Sequence, residues 1–278
     1  DGAVVYKGEQ DGLHTRVFIN KEGYPTYEAK DVGLLSLKFS RYNPDTSIMI
    51  TDHEQSEYFK VVVTAAGKIN PVWKERTIHR THGRMSFKGQ KMSSRLGGVP
   101  LAVDIIDTLL EEVDERTKDT TNIDVANNRD AIAIGALKFT ILKSMAGKNI
   151  NFDPETSLSF EGDSGPYLQY SAVRANSIFS KTNFSVSDVK EPVSITEVEK
   201  YIDRFESVVG KCITLWEPHH MVNYLLELSQ AFNSWYVQVK IIDEENKDMN
   251  YNLAIVKNFY NTMKNGLYLL GIDTPERM

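Results

Sequence analysis

The stretch Ser47-Ile48-Met49-Ile50-Thr51 is a compact run of β-favouring residues, the form of a buried strand. Downstream, Glu57 to Ala66 carries apolar residues at helical spacing, and Thr77 to His82 reads as a second strand. Strand, helix, strand at this spacing predicts a parallel sheet with covering helices, because parallel strands need a crossover long enough to hold a helix.

Working towards the N-terminus, Ala3 to Tyr6 and Thr15 to Ile19 are short β-rich runs. A tight turn at Glu22-Gly23 precedes Tyr24-Pro25-Thr26-Tyr27, and Glu28 to Phe39 suits a helix with apolar Val32, Leu34, Leu35 and Leu37. Working towards the C-terminus, a Gly- and Lys-rich loop runs from Lys88 to Gly98, and Pro100 opens a helix with Leu101, Ile105, Leu109 and Val113 on one stripe. Arg116 to Arg129 is polar and reads as a loop, and Ile132 to Met145 resumes a helical pattern.

The last third is expected to be helical throughout. Ser194-Ile195-Thr196-Glu197 has the form of a capping box. Val222, Leu225, Leu226, Ser229, Phe232, Asn233 and Tyr236 trace one long helix, and Leu253, Val256, Phe259, Tyr260, Met263 and Leu267 another. Gly266 and Gly271 stand where helix C-caps are expected. The pattern changes between residues 148 and 165, which predicts an α/β region over 1–150 and an all-α region over 151–278.

Composition narrows the class. Apolar residues make up 41% and charged residues 25% of the 278, ordinary values for a globular protein. No apolar run approaches the roughly 20 residues that span a bilayer, and no basic, apolar leader is seen, so a cytoplasmic protein without a membrane partner is expected. Asp1 in place of Met suggests an excised or processed segment. Cys212 is alone, which excludes an internal disulfide framework and reads as a small core residue. A net charge of −6 argues against coating nucleic acid by bulk charge but leaves room for a local basic face.

The chemistry concentrates in Lys91-Met92-Ser93-Ser94-Arg95. Lysine offers a point charge, the serines O–H donors and Arg95 a planar fork, which together suit a polyphosphate; a solvated basic turn is the alternative reading of the same five residues. His53, His79 and His82 match no zinc spacing and lack cysteine support, so no metal site is expected.

That loop resembles the KMSKS signature of class I aminoacyl-tRNA synthetases, in the form common among arginyl-tRNA synthetases, with serine replacing the second lysine. Tyr27-Glu28-Ala29-Lys30-Asp31 is similar to the family's Y-x-A-[RK]-D element, and Glu54-Gln55 to its second pocket element. Gly162-Asp163-Ser164-Gly165-Pro166-Tyr167-Leu168-Gln169-Tyr170 with Arg174 is similar to its G-x-[ST]-G-P-Y-x-Q-Y-x-x-x-R stretch. The ending Pro275-Glu276-Arg277-Met278 matches its usual C-terminus.

The resemblance spans nearly the whole chain. It implies a partial Rossmann-type class I catalytic domain followed by an anticodon-binding bundle, acting as an arginine-tRNA ligase on arginine, ATP with Mg²⁺ and tRNA-Arg, with no tightly bound cofactor. Tyr27, Asp31 and Gln55 are then expected to bind arginine, since a carboxylate can hold a guanidinium and a phenol can stack on it. Lys91, Ser93 and Arg95 are expected to be catalytic. Glu54, His82, Met85, Lys91, Met92 and Ser93 are expected around ATP, and Tyr167, Arg174 and Met278 around tRNA. Tyr167 equally suits a core position, and Arg174 is placed either to reach phosphate or to brace the Asp163 loop.

One departure matters: no H-x-G-H element occurs in the chain, and Asn252-Leu253 stands where the family usually has Arg-Leu. The expectation is therefore a fragment lacking the N-terminal half of the catalytic domain, inactive alone. The competing reading is a non-catalytic tRNA-anticodon-binding or interaction module.

Overall fold

The structure is a computed structural model describing residues 2–87, 101–117, 123–179, 181, 182, 189, 194–243 and 245–278. It divides into two compact units: residues 1–84 with 146–149, and residues 85–145 with 150–278. This division follows contacts and differs from the 1–150 and 151–278 segments expected along the sequence.

In the first unit, β1 (Val4–Tyr6) and β2 (Arg16–Ile19) form an antiparallel pair. Helix α1 (Tyr27–Tyr42) follows, then β3 (Ser47–Asp52), α2 (Ser56–Ile69), the short α3 (Pro71–Glu75) and β4 (Thr77–His82). Strands β3 and β4 pair in parallel, Ser47 opposite Thr77 through Asp52 opposite His82. The expected strand–helix–strand unit is therefore present. It is buried on one face only, because Ile48 and Ile50 are exposed while Met49 packs inward. Val32, Leu35 and Phe39 of α1 meet Val62 and Ala66 of α2 to form this unit's core. Each such buried aliphatic or aromatic side chain contributes roughly 1.5–3 kcal/mol of transfer free energy.

In the second unit, β5 (Met85–Phe87) pairs in parallel with β6 (Ile150–Phe152), two short strands that local pattern does not announce. Between them lie α4 (Ala102–Thr117), α5 (Ile123–Asn127) and α6 (Arg129–Leu142). Helix α5 corrects the expectation of loop throughout 116–129. Leu109 and Val113 of α4 are buried against Ile132 and Ala136 of α6, whereas Leu101 is exposed.

The rest is helical: α7 (Pro154–Ser157), α8 (Gly165–Phe179), α9 (Glu197–Asp203), α10 (Phe205–Leu215), α11 (His219–Gln238) and α12 (Met249–Leu269). Their core is one cluster in which Phe232 of α11 stacks on Phe259 of α12, ring centroids 3.8 Å apart and planes 7° from parallel. Two local expectations shift. The capping box at α9 is Thr196 with Glu199, each side chain bonding the other's backbone N–H, not Ser194 with Glu197. Gly266 lies inside α12, where a Cβ would meet Leu225 Cδ2 at 2.6 Å, so it serves close helix packing. Gly271, with φ of 67°, is the residue that follows the helix end in the left-handed region.

Candidate functional site

Helix α1 starts at Tyr27 because Thr26 before it is extended, and the Thr26 hydroxyl donates to the Val17 carbonyl at 2.7 Å. Tyr27 and Asp31 therefore stand one turn apart on the helix. Tyr27 is 78% exposed, with the Lys30 ammonium 5.4 Å from its ring centroid. Asp31 is half-buried and accepts from the Tyr58 hydroxyl of α2 at 2.5 Å. Burial, and then donation to Asp31, push the Tyr58 phenol well above its ordinary pKa. The Arg16 guanidinium lies 5.5 Å over the Tyr58 ring and 3.4 Å from Glu28, so cations and carboxylates alternate along this edge. Asp31 itself has no ion-pair partner among the described residues.

At the end of β3, Asp52 caps the turn His53–Gln55 by accepting from the Glu54 N–H at 2.9 Å. It also accepts from Arg84 Nε at 2.8 Å, while Arg84 Nη2 lies 2.5 Å from Glu54 Oε2. The Glu54 N–H first, and then Arg84, hold the Asp52 carboxyl below its usual range. Glu54 is thus tethered to a cation, and Gln55 stands exposed just before α2. His82 is exposed at the end of β4, its Nδ1 3.0 Å from the Gly83 carbonyl.

Deeper in this unit, His79 Nε2 lies 2.8 Å from the Thr51 hydroxyl, and burial pushes the His79 pKa down. A groove of about 560 Å³ along α2 and β4 is lined by Phe59, Lys60, His79, Arg80 and Thr81; none of the sequence-predicted residues lines it.

Met85 belongs to the second unit, where it packs against the Leu109 cluster. Lys91, Met92, Ser93 and Arg95 lie outside the described residues, as does Ser94.

The Gly162–Arg174 stretch builds the start of α8. The buried Ser164 hydroxyl accepts from the Tyr167 N–H at 3.1 Å and donates to the Ser159 carbonyl. A Cβ on Gly165 would sit 2.6 Å from the Gly135 carbonyl oxygen, so α8 meets α6 backbone to backbone. Gln169, fully buried, donates to the carbonyls of Ala131 at 3.0 Å and Asp273 at 2.8 Å, tying the C-terminal segment to the bundle.

Tyr167 and Arg174 converge on Asn233 of α11. Asn233 donates to the Tyr167 hydroxyl at 3.0 Å and accepts from Arg174 Nη1 at 2.8 Å. The Arg174 guanidinium also lies 4.8 Å over the Tyr170 ring and 5.4 Å over that of Tyr236. Asp163 is held by Lys143 at 3.2 Å, so bracing of that loop falls to the lysine and not to Arg174. Met278 is placed elsewhere, half-buried against the Leu109 and Ile132 cluster, with the preceding Arg277 carbonyl accepting from Asn128 at 2.9 Å.

Sequence reasoning gave no site role to Tyr58 and Arg84, nor to Tyr170, Asn233 and Tyr236, which it named only within a motif or on a helix stripe. Tyr58 and Tyr170 carried a signal, since each lies three residues from a singled-out position, one helical turn from Gln55 and Tyr167 respectively. Arg84 and Asn233 carried none, because their partners are distant in sequence.

The family model described as the catalytic domain of class I (R) tRNA synthetases matches residues 1–153. That of the DALR anticodon binding domain matches residues 168–278. The arginine–tRNA ligase of Bacteroides fragilis (strain ATCC 25285) is 29% identical over 293 residues, covering 100% of this chain and 49% of that protein. The arginine–tRNA ligase of Exiguobacterium sp. (strain ATCC BAA-1283 / AT1b) is 30% identical over 283 residues, covering 100% of this chain and 50% of its own length. The chain thus spans about half the length of the curated relatives it matches.

Among solved structures, the Thermus thermophilus arginyl-tRNA synthetase superposes with a TM-score of 0.84 at 24% identity, over 100% of this chain and 54% of that one. The Plasmodium falciparum enzyme gives 0.83 at 19% identity, over 100% and 49%. These likenesses establish the fold: a class I catalytic region with parallel strand pairing, and an all-helical anticodon-binding region. Because the catalytic-domain model covers more than half of its residues, the chain belongs to the family of class I (R) tRNA synthetases.

Proposed function

We propose that the chain carries the arginine pocket and the anticodon-reading body of an arginine-tRNA ligase, with residues 1–150 serving activation and 151–278 serving tRNA. The observation that carries this reading is the pairing of Asp31 with Tyr58, one turn after the exposed Tyr27, within a region that matches the class I (R) catalytic family. Tyr58 holds one carboxylate oxygen of Asp31, and the other is available to a guanidinium. Tyr27 offers its ring face to the same group, and Gln55 a side-chain carbonyl for a further N–H.

In the proposed reaction a carboxylate oxygen of arginine attacks the α-phosphorus of ATP. The α–β anhydride bond breaks, pyrophosphate leaves, and arginyl-adenylate forms. A ribose hydroxyl at the 3′ end of tRNA-Arg then attacks the arginyl carbonyl and releases AMP. No covalent bond to the protein is needed, so positioning and charge supply the rate. ATP enters with Mg²⁺ as substrate. Glu54 and His82 are assigned to the nucleoside and Met85 and Met92 to its apolar face. Lys91, Ser93 and Arg95 are assigned to the phosphates. Arg174 and Tyr167, joined through Asn233, together with Met278, are assigned to tRNA, where aromatic faces and a stacked guanidinium suit unpaired bases. A cytoplasmic setting belongs to the same proposal.

A second reading, tRNA binding without catalysis by this polypeptide, is favoured by the absence of an H-x-G-H element from its 278 residues. Arginine-dependent ATP–pyrophosphate exchange separates the two. The expected result is exchange by a protein in which this chain is joined to an H-x-G-H-bearing half, and none by the 278-residue polypeptide. Exchange by the polypeptide alone would contradict the division of labour, and failure of the joined protein to use arginine would sink the ligase reading.

A further inference from the structure

A second concave site lies on the helical unit, formed by residues other than the Arg174 cluster; an RNA ligand there would rest on the tRNA reading above, and a small phosphorylated ligand would not. It is a cavity of about 340 Å³ between α10 and the first half of α11. Its lining includes Arg204, Ser207, Lys211, His220 and Asn223, all of which can donate hydrogen bonds, and a single carboxylate, Glu227. We propose that this cavity binds a phosphate-class oxyanion.

Three features support the assignment. First, the charges inside are not balanced. Glu227 lies 3.9 Å from Arg204 Nη1, the long limit of an ion pair, and both side chains are about half-exposed. Lys211 has no ion-pair partner among the described residues. One lining carboxylate therefore faces an arginine and a lysine, which leaves one cationic donor that an anion would satisfy, with the His220 imidazole beside them.

Second, the guanidinium has an aromatic neighbour. Arg204 lies over the Tyr201 ring at 5.2 Å, a contact that holds the guanidinium beside the cavity and does not consume its N–H donors.

Third, His220 stands at the cavity beside Lys211 and the His219 ring, with Glu217 as the opposing carboxylate. Its ring is 4.1 Å from that of His219, whose Nδ1 is engaged by Glu217 at 3.0 Å. Burial, then His219 and Lys211, hold the His220 pKa below its ordinary value against an opposing pull from Glu217, so the ring offers a neutral N–H. His220 also lies in the first turn of a 20-residue helix, where the backbone dipole adds positive potential of the same sign. Arg204, Lys211 and His220 thus bring donors to one concavity, as a tetrahedral anion requires, and the volume leaves room for an attached sugar.

The oxyanion could be an RNA phosphodiester or a small phosphorylated molecule, and one experiment distinguishes them. The full chain, labelled at histidine and with His220 assigned by His220→Gln, is titrated by NMR with inorganic phosphate and separately with a short oligouridylate. The expected result is a saturable shift of the His220 ring resonance with at least one probe, and a Kd weakened at least fivefold by Lys211→Ala at unchanged thermal midpoint. Tighter response to the oligouridylate assigns an RNA backbone, whereas response to phosphate alone assigns a small phosphorylated ligand. Lys211→Gln, which keeps the side-chain length, is the companion variant should the alanine perturb α10. No shift of His220 with either probe, or equal binding by both lysine variants and the parent chain, would overturn the proposal.

Discussion

The phenol of Tyr58 donates to the carboxylate of Asp31 at 2.5 Å, joining α1 and α2 across 27 residues of sequence. A carboxylate held in this way keeps one rotamer and presents its remaining oxygen in a fixed direction. Tyr58→Phe removes only the hydroxyl and keeps the ring packed edge-on against Phe59. Arginine binding should weaken about tenfold, the low end of what one hydrogen bond to a charged acceptor contributes. Calorimetric titration beside an unchanged circular dichroism spectrum checks this; unchanged affinity would show that Tyr58 does not position Asp31.

The stacking of Arg174 on Tyr170 and Tyr236 predicts that charge alone is not enough. Arg174→Ala and Arg174→Lys should both weaken binding of an anticodon stem-loop, by about tenfold, because lysine lacks the planar face. Binding measured over a salt series checks the cause. Full rescue by lysine would mean that a phosphate contact, and not stacking, is what Arg174 supplies.

Gly165 is predicted to be intolerant of a side chain. A Cβ there would press on the Gly135 backbone at 2.6 Å, and neither helix can yield locally. Gly165→Ala should cost about 1–3 kcal/mol by forcing α6 and α8 apart. Thermal or denaturant unfolding measures it, and a stabilised variant would contradict the packing described.

Acid sensitivity in the first unit should involve His79. Its ring is half-buried against Phe59, with centroids 4.6 Å apart, and its folded pKa lies below the ordinary value. The unfolded chain therefore binds the proton more readily. The stability contributed by neutral His79 is present above the unfolded pKa of about 6.5 and is lost as pH falls from there towards the folded value. His79→Gln should flatten the fall in unfolding midpoint over that window. An unchanged slope would assign the acid sensitivity to the carboxylates instead.

What was legible in the sequence was the regular and the local. α11 and α12 follow from apolar spacing, because each buries a periodic face, whereas β3 and β4 follow from β-favouring composition and the helix-length spacing between them. The three-residue strands β5 and β6 were not legible, since their pairing joins residues 65 positions apart and neither run has a period of its own. The capping box was placed two residues early because Ser194–Glu197 and Thr196–Glu199 both satisfy the spacing, and only the helix start decides between them. In the candidate site, Tyr27 and Asp31 could be placed together from helical geometry alone. Tyr58 and Asn233 reach their partners across 27 and 66 residues, and such contacts are set by packing and not by spacing.

The central claim, that Asp31 selects arginine, is tested most directly by calorimetric titration of the 278-residue chain with arginine and with lysine, repeated on Asp31→Asn. The expected result is saturable arginine binding, no competition by lysine, and affinity at least tenfold weaker in the variant, as for loss of a charged hydrogen-bonding partner. Arginine affinity within threefold of the parent chain after Asp31→Asn, or equal binding of lysine, would contradict it.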